Sequence, residues 1–277
     1  MIQKNIAGKT VLLKSEHDFS FLDEFDQIFA VFDELISGNI CFGAQKNGKK
    51  YFLKYAGALP KNYIGSAEQA IQRLKNAEDA YKALEHKALA NLLYTKEYPH
   101  GFLMAFDFLY SFPIGPLPVY KKQLRRVPLS IRLAMLDNMF DFFALASRKD
   151  YIAANLSDSK FLFDINNASL VLSSINGFVK MPCQNAGRLQ GSSIYLPPEA
   201  YQFALLDERL TVYAMGVLAM QLLGNISTKS FEDWEAGKSL YNITMQALKE
   251  NRALRQQSAE AFLKSWREAI SNMPFSL

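Results

Sequence analysis

Hydrophobic and polar positions change rhythm several times along the chain. Between Phe29 and Ala58, the runs FAVF, NICFGAQ and KKYFLKYA are rich in β-branched and aromatic residues and are separated by turn-forming stretches. They predict three short strands, and Asn47-Gly48 between the second and third is a two-residue hairpin signal. From Gly65 to Leu93 the rhythm lengthens: Ala70, Ile71, Leu74, Ala77, Tyr81 and Leu84 recur near every 3.6 residues and predict an amphipathic helix. A further apolar run, Gly101 to Leu109, follows it. The proline-punctuated stretch SFPIGPLPVY then marks a boundary near Phe108 to Pro118. Beyond it the text is mostly helical, clearest at Ile131 to Ser147 and Val212 to Leu223, with strand character only at Phe161 to Ile175, broken by an Asn166-Asn167 turn. Residues 1–28 mix charged and apolar positions and match no pattern. The expected fold class is α+β with two lobes. A small β-rich lobe spans residues 1–108, a larger, mainly helical lobe spans 109–277, and a cleft lies at their join.

Composition fits that body. Of 277 residues, 49% are hydrophobic and 13% aromatic, enough for a substantial core and against disorder. With 31 basic and 27 acidic residues, the net charge of +4 leaves no nucleic-acid footprint. The densest basic cluster, Lys121, Lys122, Arg125 and Arg126, reads as a solvated helix edge or loop. Cys41 and Cys183 form no CxxC pair, and the first residues carry no secretory apolar core, so a reducing, cytoplasmic setting is expected. The run VYAMGVLAMQLL is too short to span a bilayer and reads as a buried helix, so no membrane association is expected. His17, His86 and His100 lack metal-ligand spacing, and His86 is placed at the end of the first long helix, where a cation would favour the helix dipole. Phe142-Phe143 and Phe106 with Phe108 read as core.

Ordered landmarks make the resemblance specific. From about Phe29 to Trp266 the chain resembles a protein kinase, and within that class small bacterial serine/threonine protein-kinase-like proteins. Ser37-Gly38-Asn39-Ile40-Cys41-Phe42-Gly43 stands where kinases keep a glycine-rich turn over the nucleotide phosphates, with two glycines rather than three. Lys54, in Tyr51-Phe52-Leu53-Lys54, matches the strand lysine that holds the α- and β-phosphates. Its glutamate partner would be Glu78, one place beyond Ala77, although one residue turns a side chain by about 100° around a helix. Asp107, Phe108 and Leu109 match the hinge that borders the adenine ring. Gly191-Ser192-Ser193-Ile194-Tyr195-Leu196-Pro197-Pro198-Glu199 resembles the end of an activation segment, and Arg255 matches the buried partner of its glutamate. Thr211 stands in the central helix where many kinases have aspartate.

The catalytic positions depart from the family together. Kinases use an aspartate to orient the substrate hydroxyl, an asparagine five residues on to hold magnesium, and the aspartate of DFG to hold a second contact to metal. Here Ala153-Ala154-Asn155 aligns with HRD, Lys160 with the metal-binding asparagine, and Asn176-Gly177-Phe178 with DFG. Asn155 and Asn176 each remove one negative charge and Lys160 adds one positive, making the site more positive by three. No metal site is expected, since magnesium requires hard, usually anionic oxygen ligands. The resemblance therefore implies a pseudokinase acting as a regulatory or scaffold module toward a protein partner. Two outcomes stay open for ATP: binding without magnesium through Lys54 and Lys160, or an empty cleft with Lys160 turned to solvent. The alternative is a weak or atypical ATP-dependent phosphotransferase, acting on protein hydroxyls or a small molecule, with Asp158 as a substitute base. A structural role suits Asp158 better, and Asp164 is placed to cap the Asn166-Asn167 turn.

Overall fold

The computed structural model of the protein describes residues 1–34, 37–115, 117–185, 189, 191–202 and 204–273. It is a mixed α+β chain, with six α-helices and five antiparallel sheets among the described residues. The chain divides into two compact units, one of Met1–Glu85 with Ala90–Leu109, the other of His86–Leu89 with Tyr110–Leu277. Among the described residues no helix is long and apolar enough to cross a membrane.

The first unit opens with a hairpin of β1 (Ile2–Ile6) and β2 (Lys9–Leu13), whose turn is closed by Ala7 and Gly8, both at positive φ. Its main sheet comprises β3 (Gln27–Phe32), β4 (Asn39–Lys46), β5 (Lys49–Ala56), β6 (Leu92–Tyr98) and β7 (Gly101–Asp107) in the order β3-β4-β5-β7-β6. The β4–β5 turn is Asn47-Gly48, at φ 51° and 76°, as the dipeptide predicts. Residues 1–28, which yield no pattern in the sequence, form one wall of this unit. Ile6, Val11, Leu13, Phe19, Phe21, Leu22 and Phe25 bury against Ile40, Phe42, Leu53, Tyr55 and Leu103, which alternate along β4, β5 and β7. Backbone bonds hold the hairpin in place, Lys14 N–H donating to Leu59 O at 3.0 Å and Lys61 N–H to Leu12 O at 2.9 Å.

Helix α1 (Ala67–Ala83) packs on the opposite face of the sheet. It starts in a capping box: the Ser66 side chain accepts from Gln69 N–H while the Gln69 side chain accepts from Ser66 N–H. Ala70, Leu74, Ala77, Tyr81 and Leu84 are buried as the 3.6 period requires. The helix is shorter than the expected Gly65 to Leu93, because the chain turns at Leu84 and then runs along other partners. Leu172 N–H donates to Ala88 O at 2.8 Å, and Leu89 bridges Leu172, so pairing with a segment distant in sequence wins over helix continuation. Residues 92–98 are β6 rather than helix.

In the second unit β8 (Ser111–Pro113) is followed by α2 (Pro118–Arg125) and the long α3 (Leu129–Arg148), whose Phe140, Phe142 and Phe143 are wholly buried. Strand β9 (Tyr151–Ile152) pairs with β12 (Val179–Lys180), and β10 (Phe161–Asp164) pairs with both β8 and β11 (Ser169–Leu172). Asp164 caps the β10–β11 turn, accepting from Asn166 N–H at 3.0 Å and from Asn167 Nδ2 at 2.7 Å. Strand β13 (Cys183–Gln184) pairs with β14 (Leu205–Leu206) ahead of α4 (Arg209–Leu223), α5 (Gly237–Ala247) and α6 (Ala259–Ser271). Helix α4 carries the apolar run VYAMGVLAMQLL and is buried along most of its length. At Gly216 it approaches α5 so closely that a Cβ would lie 2.9 Å from Ala247 Cβ.

Candidate functional site

Strand register places Lys54 in a row across the first unit's sheet, Phe32, Cys41, Lys54 and Met104, on the face that α1 covers. The neighbouring row holds Gly43, Phe52 and Phe106. Lys54 is 7% exposed; its ammonium lies 4.8 Å from the Phe106 ring centroid, and it donates to Tyr81 Oη at 3.4 Å. Cys41, beside it, is pushed up to about 12 by burial, with Lys54 pulling the other way, so the thiol stays protonated.

Glu78 is not placed as the partner of Lys54. Its Oε1 accepts from Thr95 Oγ1 at 2.9 Å and pairs with Lys82 at 2.6 Å, one turn along α1. Ala77 and Tyr81 are the buried positions of this stretch of α1, and the single-residue step turns Glu78 toward Thr95 on the edge strand β6 rather than toward Lys54.

The expected glycine-rich turn also resolves differently. Asn39, Ile40, Cys41, Phe42 and Gly43 belong to β4, where Asn39 faces Ala56 and Gly43 faces Phe52 in register. Gly43 lacks a side chain because the Phe29 ring lies across it, and Gly38, at φ 77°, has the Tyr63 ring where a Cβ would project. Arg73 Nη2 holds this corner, donating to Ser37 O at 2.7 Å and Tyr63 Oη at 3.0 Å. Both glycines thus admit aromatic rings of the same unit, and the adjoining Leu35 and Ile36 lie outside the described residues. The expected hinge residues are occupied locally as well: Asp107 accepts from Asn91 Nδ2 at 2.6 Å and pairs with Lys49 at 3.1 Å. Phe108 meets Phe29 edge to face at 5.1 Å, and Leu109 is half-buried.

In the second unit the three residues that the resemblance aligns with catalytic positions, Asn155, Lys160 and Asn176, come together. Asn155 adopts a left-handed backbone, φ 54°, and Gly177 packs so closely on its side chain that any Cβ there would overlap Asn155 Cβ. Lys160 Nζ donates to Asn155 O, so the ammonium is drawn to a carbonyl of its own loop. Asn176 N–H donates to Ser174 Oγ at 3.4 Å, while its Oδ1 is buried with no hydrogen-bond partner among the described residues. Phe178 continues inward against Phe142 and Phe143, at 6.0 and 6.5 Å between ring centroids.

Asp158 is fixed by neighbours. It accepts from Tyr195 Oη at 2.9 Å, and Gln221 Nε2 reaches both carboxylate oxygens at 3.1 Å. Tyr195 is 1% exposed, and burial, then the Asp158 charge, pushes its hydroxyl well above the ordinary value. This cluster pins the Gly191 to Glu199 segment to α4, a link that no sequence spacing announces. Thr211, in the place of an aspartate, accepts the Ala153 N–H at 3.0 Å through Oγ1.

The Glu199–Arg255 pair forms as the resemblance implies. Arg255 Nη1 and Nη2 donate to the two Glu199 oxygens at 2.5 and 3.0 Å. Its remaining donors reach Lys249 O at 2.7 Å, Glu250 O at 3.0 Å and Arg209 O at 3.2 Å, which satisfies a guanidinium only 2% exposed. His86 departs from expectation. It lies beyond α1, its ring bonds Asp141 at 3.3 Å and Ala88 N–H at 3.1 Å, and burial lowers its pKa against the pull of Asp141. Its ring is therefore poorly suited to serve as a helix-end cation.

No family model matches the chain. Part of it is similar to plant receptor kinases. A stretch of 64 residues, 23% of this chain, is 41% identical to wall-associated receptor kinase 5 of Arabidopsis thaliana but covers 9% of that protein. Another of 101 residues, 32% of the chain, is 34% identical to wall-associated receptor kinase 1 of the same plant and covers 14% of it. The similarity is thus to a small part of much longer proteins.

Proposed function

We propose that this chain is a catalytically inactive relative of protein kinases that works by binding, as a regulatory or scaffold module for a protein partner. One observation supports the reading: Lys160 is bonded to the carbonyl of Asn155, and these two residues, with Asn176, are the ones the resemblance aligns with the base and metal ligands of phosphoryl transfer. A cation in that loop does electrostatically what a metal would otherwise do, and it repels a second cation. Any nucleotide is accordingly held without magnesium, through the charge of Lys54 and Lys160. A phosphotransferase using Asp158 would have to break its bonds to Tyr195 and Gln221, and that alternative is set aside.

Thermal-shift titration with ATP, in magnesium and in chelator, tests the reading, because a ligand that binds only the folded state raises the melting temperature. Stabilisation in chelator that is lost in Lys54→Ala is the expected outcome. Strict magnesium dependence, with phosphate transfer abolished by Asp158→Asn, would return the chain to the enzymes. No shift at saturating ATP would leave protein binding without nucleotide.

A further inference from the structure

Helix α2 carries an unusual charge distribution. No acidic residue occurs between Asp107 and Asp137, whereas Lys121, Lys122, Arg125, Arg126 and Arg132 all fall in that interval. Arg132 is drawn inward, donating to Val127 O at 3.0 Å, Leu222 O at 2.8 Å and Glu235 at 2.5 Å. The other four are exposed, and none joins an ion pair among the described residues. Arg125 also donates to Gly224 O at 3.5 Å, anchoring the helix. Four cations within six residues repel one another, so an anionic partner would relieve an existing strain in the surface potential.

Apolar groups adjoin the cations. Leu117 and Val119, at the start of α2, are 51% and 52% exposed. Tyr120 stacks on Phe112 of β8 at 5.3 Å and 16°, and Leu124 is 5% exposed, so the inward face of the helix is already used. That decides between two classes of anionic surface. A helix lying in a bilayer needs a free apolar face, and α2 has spent its own on the protein. What remains outward is a row of point charges with two small apolar side chains at one end, the complement of a short peptide rather than a membrane.

We propose that the α2 face binds an acidic segment of a partner protein, whose carboxylates meet Lys121, Lys122 and Arg126 and whose apolar side chains rest on Leu117 and Val119. This goes beyond the inactive-kinase reading and stands without it, since no nucleotide or catalytic position takes part. The test is a selection of random dodecapeptides displayed on phage, run in parallel on the wild-type chain and on Lys121→Glu/Lys122→Glu/Arg126→Glu. All three positions are exposed, and an unchanged melting temperature would verify that the variant is folded. The expected pool on the wild type is enriched in Asp and Glu together with apolar residues. A synthetic peptide from that pool should bind the variant at least about tenfold more weakly and lose affinity as salt rises. A pool without acidic enrichment, or equal binding to both proteins, would overturn the proposal. So would cosedimentation with phosphatidylserine vesicles that depends on the same cations while the selected peptides do not, which would make the partner a bilayer. Because Lys54→Ala leaves this face intact, retained peptide binding in that variant separates failure here from failure of the nucleotide reading.

Discussion

The Glu199–Arg255 pair and the loop from Asn155 to Lys160 belong to the same unit and show opposite tolerance to change in charge. Around Arg255, all five donors meet acceptors and the guanidinium is nearly without solvent contact, so neither partner could be exchanged alone without stranding a charge. The loop is more open, with Asn155 and Lys160 only half-buried. Asn155 and Asn176 carry no charge, and Lys160 finds a carbonyl within five residues of itself. Charges that hold a fold are fixed by the fold, whereas charges that serve only a reaction can be replaced with little structural penalty.

The sharpest way to break this comparison is Arg255→Ala or Glu199→Ala, each expected to lower unfolding free energy by about 3 to 5 kcal/mol in chemical denaturation. Equal losses from Lys160→Ala would erase the distinction. Asp158→Ala ranks next, at about 1 to 3 kcal/mol, because it leaves the buried Tyr195 hydroxyl without its acceptor. Asp158→Asn, which keeps an acceptor oxygen, should recover part of that loss. Thr211→Val removes the acceptor of the Ala153 N–H at nearly constant shape and should cost about 1 kcal/mol by the same assay. Lys160→Ala should change stability by less than about 0.5 kcal/mol while abolishing any metal-independent ATP shift.

The gentlest effect is on pH. Burial holds both His17 and His86 below the ordinary value of 6.5, and in His86 the bond to Asp141 offsets part of it. Below that pH the unfolded chain binds more protons than the folded one. Stability is therefore complete above about pH 6.5 and declines as pH falls beneath it. Denaturation midpoints at pH 7.5 and 5.5 check the sign, and His17→Gln should flatten the slope from the first unit.

Local signals were the legible part. Asn47-Gly48 and Asn166-Asn167 fix their own turns, the periodicity of α1 marks its buried face, and the unbroken apolar run of α4 marks a helix buried along most of its length. Glu199 with Arg255, 56 residues apart in sequence, was reachable because the resemblance to protein kinases supplies the long-range link. Where no such pattern exists, the reading failed for physical reasons. Residues 1–28 alternate weakly because β1 and β2 are short, and their apolar residues become intelligible only against the sheet they cover. The resemblance places Gly38 and Gly43 over nucleotide phosphates, whereas in the structure the rings of Tyr63 and Phe29 lie where a Cβ at each would project. Glu78 was one residue from the required helix face, a margin that no sequence count resolves.

The wall built by residues 1–25 has a further consequence for the life of the molecule. Ile40, Phe42, Leu53, Tyr55 and Leu103 form a continuous greasy face once Phe19, Phe21 and Phe25 are taken away. A protease that clipped the chain after Phe25 would leave the catalytic-position loop and α2 chemically untouched, yet expose a strand surface prone to stick to its own kind. The solubility of the first unit thus depends on residues 1–25, far along the chain from Asn155 and Lys160.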